Sequence, residues 1–252
     1  MEKPMIKTDY SRIYLRFHSD TPEHIAAMTA YFRRILKPLL PQNKENTLFD
    51  VGCGMGFALM ALKQLGYNNV SGCDSDERQV DYCRKNGLEV VQTEDTAAWL
   101  ATNKSKFGGI LALDLIEHIP VPDQLEFTRT LLEALTAGAP LIGTVPNASS
   151  SLAMRSRHIC FTHHASFTEH SLDFLLYNAG FENIQIQEVE YLTPPPNVWI
   201  PRGAARHWWA LKFFRLWRRL QMMAELGPAQ GRLVPLSLNL LFSATRKKTL
   251  NH

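Results

Sequence analysis

The segment LFDVGCGMG at residues 48–56 is the part of the sequence best suited to binding a ligand through its backbone. Glycines occupy every second position, Gly52, Gly54 and Gly56, after an apolar run and before a pattern typical of a helix. Because glycine has no Cβ, such a turn can be tight and a ligand can approach its backbone closely. The spacing is GxGxG, which differs from the GxGxxG fingerprint of dinucleotide-binding proteins.

An aspartate, Asp74, follows Gly54 by twenty residues and ends the second predicted strand. A carboxylate in this position can accept hydrogen bonds from both hydroxyls of a ribose. A glycine turn alone is often only structural, but a strand, a turn, a helix and a spaced acid together favour a binding site. These features predict a ligand that contains a nucleoside.

Short apolar runs alternate with helix-like segments around these residues. The predicted strands are residues 47–51, 70–74, 89–92, 109–114 and 139–145. This alternation is typical of βαβ units in a parallel sheet that is covered by helices on both faces. In such sheets a ligand binds beyond the carboxyl ends of the strands, which is where the glycine turn and Asp74 are expected.

Further elements are expected on either side of this core. They are a helix over 21–37, a helix over 168–179, and strands over 183–191 and 236–244. Thr21 and Thr168 are the predicted N-caps of the two helices. We expect a helical N-terminal segment at residues 1–45, followed by one catalytic domain at 46–252.

Three segments resemble motifs of class I S-adenosylmethionine-dependent methyltransferases: FDVGCGMG, GCDSD at 72–76 and LALDLIEHIP at 111–120. The resemblance implies a Rossmann-like α/β fold with a mostly parallel seven-stranded sheet, helices on both faces and an antiparallel edge strand. It also implies S-adenosylmethionine as the cofactor. The glycine turn would hold the methionine part and Asp50 would lie near its amino group, while Asp74 would take the ribose and Asp95 would lie near the adenine. The expected cofactor-binding residues are Asp50, Gly52, Cys53, Gly54, Gly56, Asp74, Asp95 and Asp114.

Asp114 ends the fourth predicted strand, and the resemblance places it at the mouth of the site. An alternative for Asp114 and Glu117 is that their carboxylates cap the helix that follows. His118 is a further catalytic candidate, although its place at the start of a helix also suits a structural role.

A later segment, RHICFTHHASFTEHSLDFLLYNAGF at 157–181, is similar to one found in methyltransferases of polysaccharide and O-antigen gene clusters. Cys160 and His164 stand where that pattern tends to carry acids. His163 is the expected general base, with His164 as a second candidate, since histidine titrates near neutral pH. Alternatively, the two histidines pack or cap a loop. Two adjacent histidines do not make a metal site, and we expect no metal.

The leading hypothesis is an O-methyltransferase that acts on a sugar hydroxyl of a glycan or a lipid-linked polysaccharide precursor. One alternative is a small-molecule or quinone-precursor O-methyltransferase, because LALDLIEHIP also resembles that branch. Another is a non-catalytic S-adenosylmethionine-binding partner of a glycan enzyme. Nucleic acid is not expected as a partner. The net charge is only +3, and residues 114–117 read DLIE rather than the [DNS]PP[YFW] clamp of base-amine methylases, while PPP at 194–196 follows a later strand.

A basic and aromatic segment near 203–226 is predicted to form an inserted amphipathic helix. On a helical wheel its apolar side carries Trp209, Phe213, Leu216, Trp217, Leu220 and Met223, and its basic side carries Lys212, Arg215, Arg218 and Arg219. This pattern suits a helix that lies on an anionic membrane surface. The alternative is a helix that covers its own sheet or a second subunit, with its arginines solvated.

The composition is that of an ordinary globular protein, with 45% hydrophobic and 20% charged residues. Four cysteines without CxxC spacing are expected to be reduced thiols rather than disulfides or zinc ligands. The N-terminal sequence has no apolar run of signal-peptide length, and no stretch reaches the length of a membrane span. We expect a cytoplasmic protein that can attach to the inner face of the membrane, and the sequence leaves its oligomeric state open.

Overall fold

The structure is a computed structural model that describes residues 11–190 and 203–248. The PPP segment at 194–196, the start of the predicted N-terminal segment and the last residue of the strand expected over 183–191 lie outside the described residues.

Seven strands form one sheet in the order β3-β2-β1-β4-β5-β7-β6. The strands are β1 Leu48–Val51, β2 Val70–Asp74, β3 Glu89–Gln92, β4 Gly109–Leu113, β5 Pro140–Pro146, β6 Phe181–Val189 and β7 Asn239–Arg246. Strand β1 pairs in parallel with β2 and β4, and β2 pairs in parallel with β3. The Gly138 N–H donates to the Arg246 carbonyl, and the Asn147 N–H donates to the Leu238 carbonyl. Because the partner numbers fall as the β5 numbers rise, β7 is antiparallel to β5. The predicted fold class is confirmed.

Helices follow or precede most of these strands. They are α1 Ser11–Tyr14, α2 Pro22–Leu36, α3 Phe57–Gln64, α4 Glu77–Lys85, α5 Thr96–Ala101, α6 Gln124–Ala134, α7 Ala153–His158, α8 Glu169–Ala179, α9 Ala204–Leu226 and α10 Pro228–Gly231. Both predicted N-caps are confirmed: the Thr21 hydroxyl accepts the His24 N–H, and Thr168 forms a capping box with Ser171. Single 3-10 turns lie at Ile116–His118 and Val121–Asp123.

Several strand boundaries differ from the prediction by one to three residues, and three of them have a clear local reason. Strand β4 ends at Leu113 because Asp114 has a positive φ of 49°. Strand β6 begins at Phe181, since Gly180 in the left-handed region ends α8 directly before it. Strand β7 begins only at Asn239, because side chains bond the residues before it: Glu188 accepts the Leu236 N–H, and the Ser237 hydroxyl donates to the Asn239 carbonyl.

The chain divides into two compact units. The first draws on Met1–Leu113, Thr130–Ile142 and Arg246–His252; in it α2 packs against α3, and Phe49 stacks on Trp99 and Phe107. The second draws on Asp114–Arg129 and Gly143–Thr245, with Leu172, Leu176 and Phe181 in its core.

Candidate active site

The glycine turn after β1 has the backbone that its sequence predicts. Gly52, Gly54 and Gly56 have φ values of 72°, 53° and 74°, a region that favours glycine. The amides of Gly52 and Cys53 donate to the Cys73 carbonyl at 2.9 and 3.0 Å, which ties the turn to the end of β2. A Cβ at Gly54 would lie 2.5 Å from the Tyr14 hydroxyl. The positive φ therefore favours glycine here, and an added Cβ would displace the Tyr14 side chain.

Asp74, the last residue of β2, is bonded directly to this turn. Its Oδ2 accepts the Gly54 N–H at 2.8 Å, and its Oδ1 accepts the Asp76 N–H at 2.9 Å. A carboxylate oxygen has two lone pairs, so each oxygen retains capacity to accept a ribose hydroxyl. Burial raises the pKa of Asp74, and the two amide bonds oppose that shift. The carboxylate is thus fixed in orientation and keeps the acceptor capacity that a nucleoside needs.

Asp50 lies inside β1 and is only 2% exposed. Its Oδ1 has no hydrogen-bond partner among the described residues. Burial, and then the charge of Asp74, raise the pKa of Asp50 well above its ordinary value. A buried carboxylate oxygen is costly unless a donor or a cation satisfies it. The ammonium group of an amino-acid ligand would do so, and the turn, Asp50 and Asp74 therefore fit S-adenosylmethionine.

Two residues near the turn had no place in the sequence prediction. The Tyr14 hydroxyl accepts the Met55 N–H at 3.2 Å, and the buried Gln79 side chain has no hydrogen-bond partner among the described residues for either polar atom. Gln79 could have been found from the sequence, because it is a polar residue beside Val80 and Cys83 on the buried face of α4. Tyr14 could not have been found in this way, since it lies 41 residues from its partner Met55.

Two further predicted cofactor-binding residues, Asp95 and Cys53, have side chains that contact their own local surroundings. Asp95 is exposed, and its Oδ1 caps α5 by accepting the Ala98 N–H at 2.9 Å. Its proposed contact with adenine stays a prediction. Cys53 is buried, and a hydrogen bond to Cys83 together with burial raises its pKa well above its usual range, so it is a neutral thiol. All four cysteines are free, as expected.

Asp114 is held by two strands rather than by a helix end. Its Oδ1 accepts the Thr144 hydroxyl at 2.9 Å and the Asn239 amide at 2.6 Å, and its N–H donates to the Thr144 carbonyl. The capping alternative for Asp114 is therefore wrong. Although the residue as a whole is exposed, its carboxylate is closely surrounded by protein atoms, and this desolvation raises its pKa. Thr144 and Asn239 were missed, because nothing in the sequence links positions so far apart.

Glu117 has no exposed surface, and neither carboxylate oxygen has a hydrogen-bond partner among the described residues. Burial, followed by the charges of Asp114 and Cys160, raises the pKa of Glu117 well above its ordinary value. The Glu117 carbonyl accepts the His164 N–H at 2.7 Å, which joins the 3-10 turn to the loop at 159–164.

Two of the three predicted catalytic histidines lie together. The rings of His118 and His163 are nearly perpendicular, with centroids 4.6 Å apart. His118 Nδ1 lies 2.7 Å from the Thr162 hydroxyl, and His163 Nδ1 lies 2.9 Å from the Ser156 carbonyl. Burial lowers the pKa of His118 to about 4 and also lowers that of His163. His164 differs, because it is exposed and takes part through its backbone amide.

Helix α9 has the two faces that the sequence predicts, but its orientation differs from the covering alternative. Lys212 and Arg215 pair with Glu190, and Arg219 pairs with Glu188. The apolar face is turned to solvent, with the following side chains 46–64% exposed: Trp209, Phe213, Leu216, Trp217 and Leu220. The alternative of an apolar face on its own core with solvated arginines is therefore wrong for the described residues.

Comparisons with known proteins agree with this geometry. The family model described as a methyltransferase domain matches residues 23–186. The chain belongs to this methyltransferase family. The fold is shared with a solved S-adenosylmethionine-dependent methyltransferase, as the resemblance of the three motifs implied.

Curated relatives and solved structures give further detail. A ubiquinone biosynthesis O-methyltransferase of Roseobacter denitrificans is 32% identical over 91 residues, 34% of this chain and 36% of that protein. The same enzyme of Cereibacter sphaeroides is 30% identical over 132 residues, 50% of this chain and 52% of that protein. The chain thus spans about half, or less, of the length of these relatives. A S-adenosylmethionine-dependent methyltransferase structure from Archaeoglobus fulgidus matches with a TM-score of 0.66 and 19% identity, covering 94% of this chain and all of that one.

Among the helices of the described residues, none combines the length and the apolar character needed to span a membrane.

Proposed function

We propose that this methyltransferase transfers a methyl group from S-adenosylmethionine to a hydroxyl of a small aromatic acceptor of the quinone-precursor type. The observation that carries the cofactor assignment is the glycine turn bonded to Asp74 beside the unsatisfied oxygen of Asp50. The acceptor class is supported by relatives named ubiquinone biosynthesis O-methyltransferases.

When bound, S-adenosylmethionine supplies an electrophilic methyl group. Asp74 accepts the ribose hydroxyls, while Asp50 receives the ammonium group and so gains the partner that its buried oxygen needs. The amides of the turn line the methionine part. Asp114 directly follows β4, which pairs in parallel with β1.

An acceptor hydroxyl becomes a good nucleophile only when its proton is removed. His163 is the residue we assign to this step. The Ser156 carbonyl accepts from Nδ1 of His163, which makes Nε2 the nitrogen with the lone pair. His118 packs edge-on against this ring and positions it. His164 has a backbone role in joining the loop to Glu117.

The exposed apolar face of α9 supports an acceptor of low polarity. We propose that this face contacts the headgroup boundary of a membrane, at the cytoplasmic side, where an apolar precursor would be concentrated. A glycan acceptor remains the second hypothesis. It rests on the similarity of residues 157–181 to methyltransferases of polysaccharide clusters, and neither curated relative described above is named for such an acceptor.

The experiment is a methyl-transfer assay with labelled S-adenosylmethionine over three acceptor sets: catechol-type quinone precursors, phenols without an apolar tail, and glycans. We expect transfer to the first set. Transfer to glycans alone would overturn the aromatic assignment. A folded chain that binds S-adenosylmethionine in calorimetry but methylates no set would instead support the non-catalytic binding partner.

A further inference from the structure

Three side chains of metal-ligand type lie together in the second unit. They are His118 in the 3-10 turn and Cys160 and His163 in the loop at 159–164. One ligand atom from each residue lies within 4.8 Å of the other two. Ligands of a tetrahedral zinc ion are separated by about 3.5 Å, given bonds of about 2.1 Å to nitrogen and 2.3 Å to sulfur. A movement of about 1 Å in side-chain position would therefore close the cluster on an ion.

The neighbours of these side chains orient them. The Ser156 carbonyl holds Nδ1 of His163, which aims Nε2 away from that bond. The Thr162 hydroxyl lies 2.7 Å from Nδ1 of His118 and 3.1 Å from the sulfur of Cys160. Metal-binding histidines are commonly held in this way, with one ring nitrogen bonded to a carbonyl or another polar group.

Backbone bonds keep the two ligand segments in register. The His163 N–H donates to the Cys160 carbonyl at 3.3 Å, so one tight turn presents both loop ligands. The His164 N–H donates to the Glu117 carbonyl at 2.7 Å, directly beside His118. The loop and the 3-10 turn are thus joined next to the cluster, independently of any ion.

A buried acid beside the cluster is an independent observation. Glu117 has no exposed surface, and both carboxylate oxygens lack a hydrogen-bond partner among the described residues. A buried polar group without hydrogen bonds is unfavourable, and a cation bound beside it would stabilise its charged form. No lysine or arginine is paired with Glu117 among the ion pairs of the described residues.

We propose that His118, Cys160 and His163 bind one divalent transition-metal ion of the zinc class. Two imidazoles and a thiolate favour zinc over magnesium or calcium, which prefer oxygen ligands. Three protein ligands also leave the fourth position of a tetrahedral ion for an oxygen from outside the set, as in catalytic zinc sites. This differs from the expectation of no metal. That expectation rested on sequence spacing, and 42 residues separate His118 from Cys160.

The ion would bind Nε2 of His163, the atom that removes the acceptor proton in the proposed function. Its role in methyl transfer therefore rests on that proposed function: the hydroxyl would be activated by coordination when the ion is bound. Binding of the ion itself does not depend on the proposed function.

The test uses the full chain after dialysis against a chelator, with Zn²⁺ or Co²⁺ alone and no cofactor or acceptor. We expect one equivalent to bind, and the Co²⁺ form to show a thiolate-to-cobalt charge-transfer band. Cys160→Ser should lose that band although the other three cysteines remain. His163→Ala should weaken Zn²⁺ binding by at least about 100-fold, since even loss of a residue that orients a ligand costs about 10- to 100-fold.

His158→Ala is the matched control, because His158 is an exposed histidine on the neighbouring α7 and should leave binding unchanged. If Cys160→Ser does not fold, Zn²⁺ protection of Cys160 against alkylation in the unaltered chain replaces it, and mass spectrometry of peptides identifies the protected thiol. A Co²⁺ spectrum without the thiolate band, or alkylation of Cys160 that Zn²⁺ leaves unchanged, would overturn the proposal. Neither readout involves methyl transfer, so failure of the proposed function is seen separately.

Discussion

Replacing Asp74 by alanine tests whether the bond between the glycine turn and β2 forms part of the cofactor site. The substitution removes the acceptor of the Gly54 N–H at 2.8 Å and of the Asp76 N–H at 2.9 Å. It also removes the two bonds that the carboxylate would make to a ribose. Hydrogen bonds to a charged group contribute about 1.5 to 3 kcal/mol each, and about 1.4 kcal/mol corresponds to a tenfold change in affinity.

Loss of one such bond to the ribose would therefore weaken S-adenosylmethionine binding by about tenfold or more, and loss of both by about 100-fold or more. Calorimetric titration measures this directly, with circular dichroism to show that the variant is folded. Asp81→Ala is the control, since Asp81 is an exposed acid on the adjacent α4. A folded Asp74→Ala protein that binds within about twofold of the unaltered chain would remove Asp74 from the site, since it would have lost less than one such bond.

Three further predictions concern His163, Asp50 and helix α9. If His163 is the base, His163→Ala should lower turnover by about 10²- to 10⁴-fold with S-adenosylmethionine affinity preserved, while His164→Ala changes little; equal small losses in both would favour a packing role. The raised pKa of Asp50 means that the folded protein binds this proton more tightly than the unfolded chain, so its contribution to the free energy of unfolding falls as pH rises above the ordinary value of 3.8. Without cofactor, Asp50→Asn should therefore be more stable than the unaltered chain at pH 8 in denaturant titrations, by a margin that shrinks toward acid pH; a margin that grows on acidification would contradict this sign. Because three basic residues of α9 are paired with Glu188 and Glu190, flotation with anionic liposomes should depend on the apolar face and change little with salt. Trp217→Glu should abolish it, whereas Phe174→Glu, an exposed aromatic on α8, should not; retention of flotation in Trp217→Glu would rule out this face.

The local features of the fold followed from short stretches of sequence. The glycine turn was predictable because a strand, alternating glycines and a helix are adjacent in the chain, and their positive φ values are a property of those residues alone. The threonine caps of α2 and α8 were predictable for the same reason. Strand β7 was placed three residues early, because the side chains of Glu188 and Ser237 bond the backbone there, and no local pattern shows this.

Features that depend on distant residues were not predictable in this way. Asp114 meets Asn239 from 125 positions away, so its role in joining strands had no sequence signal. The periodicity of α9 predicted a basic face and an apolar face, but it did not determine which of the two faces the protein. Glu188 and Glu190 could have indicated the orientation of α9. Residues two apart at the end of a strand point to the same side, so both acids can pair with a basic helix face. The burial of Glu117 was likewise hidden, since an acid at the start of a helical turn usually suits a cap.

The most direct test of the central claim is a turnover assay that measures both products of the reaction. S-adenosylmethionine and a catechol-type quinone precursor are incubated with the full chain, S-adenosylhomocysteine is quantified, and nuclear magnetic resonance locates the new methyl group. The account predicts one S-adenosylhomocysteine for each methylated acceptor, with the methyl group on oxygen and turnover sharply reduced in Asp74→Ala at low cofactor concentration. A methyl group on nitrogen or carbon, or turnover that Asp74→Ala leaves unchanged, would contradict it.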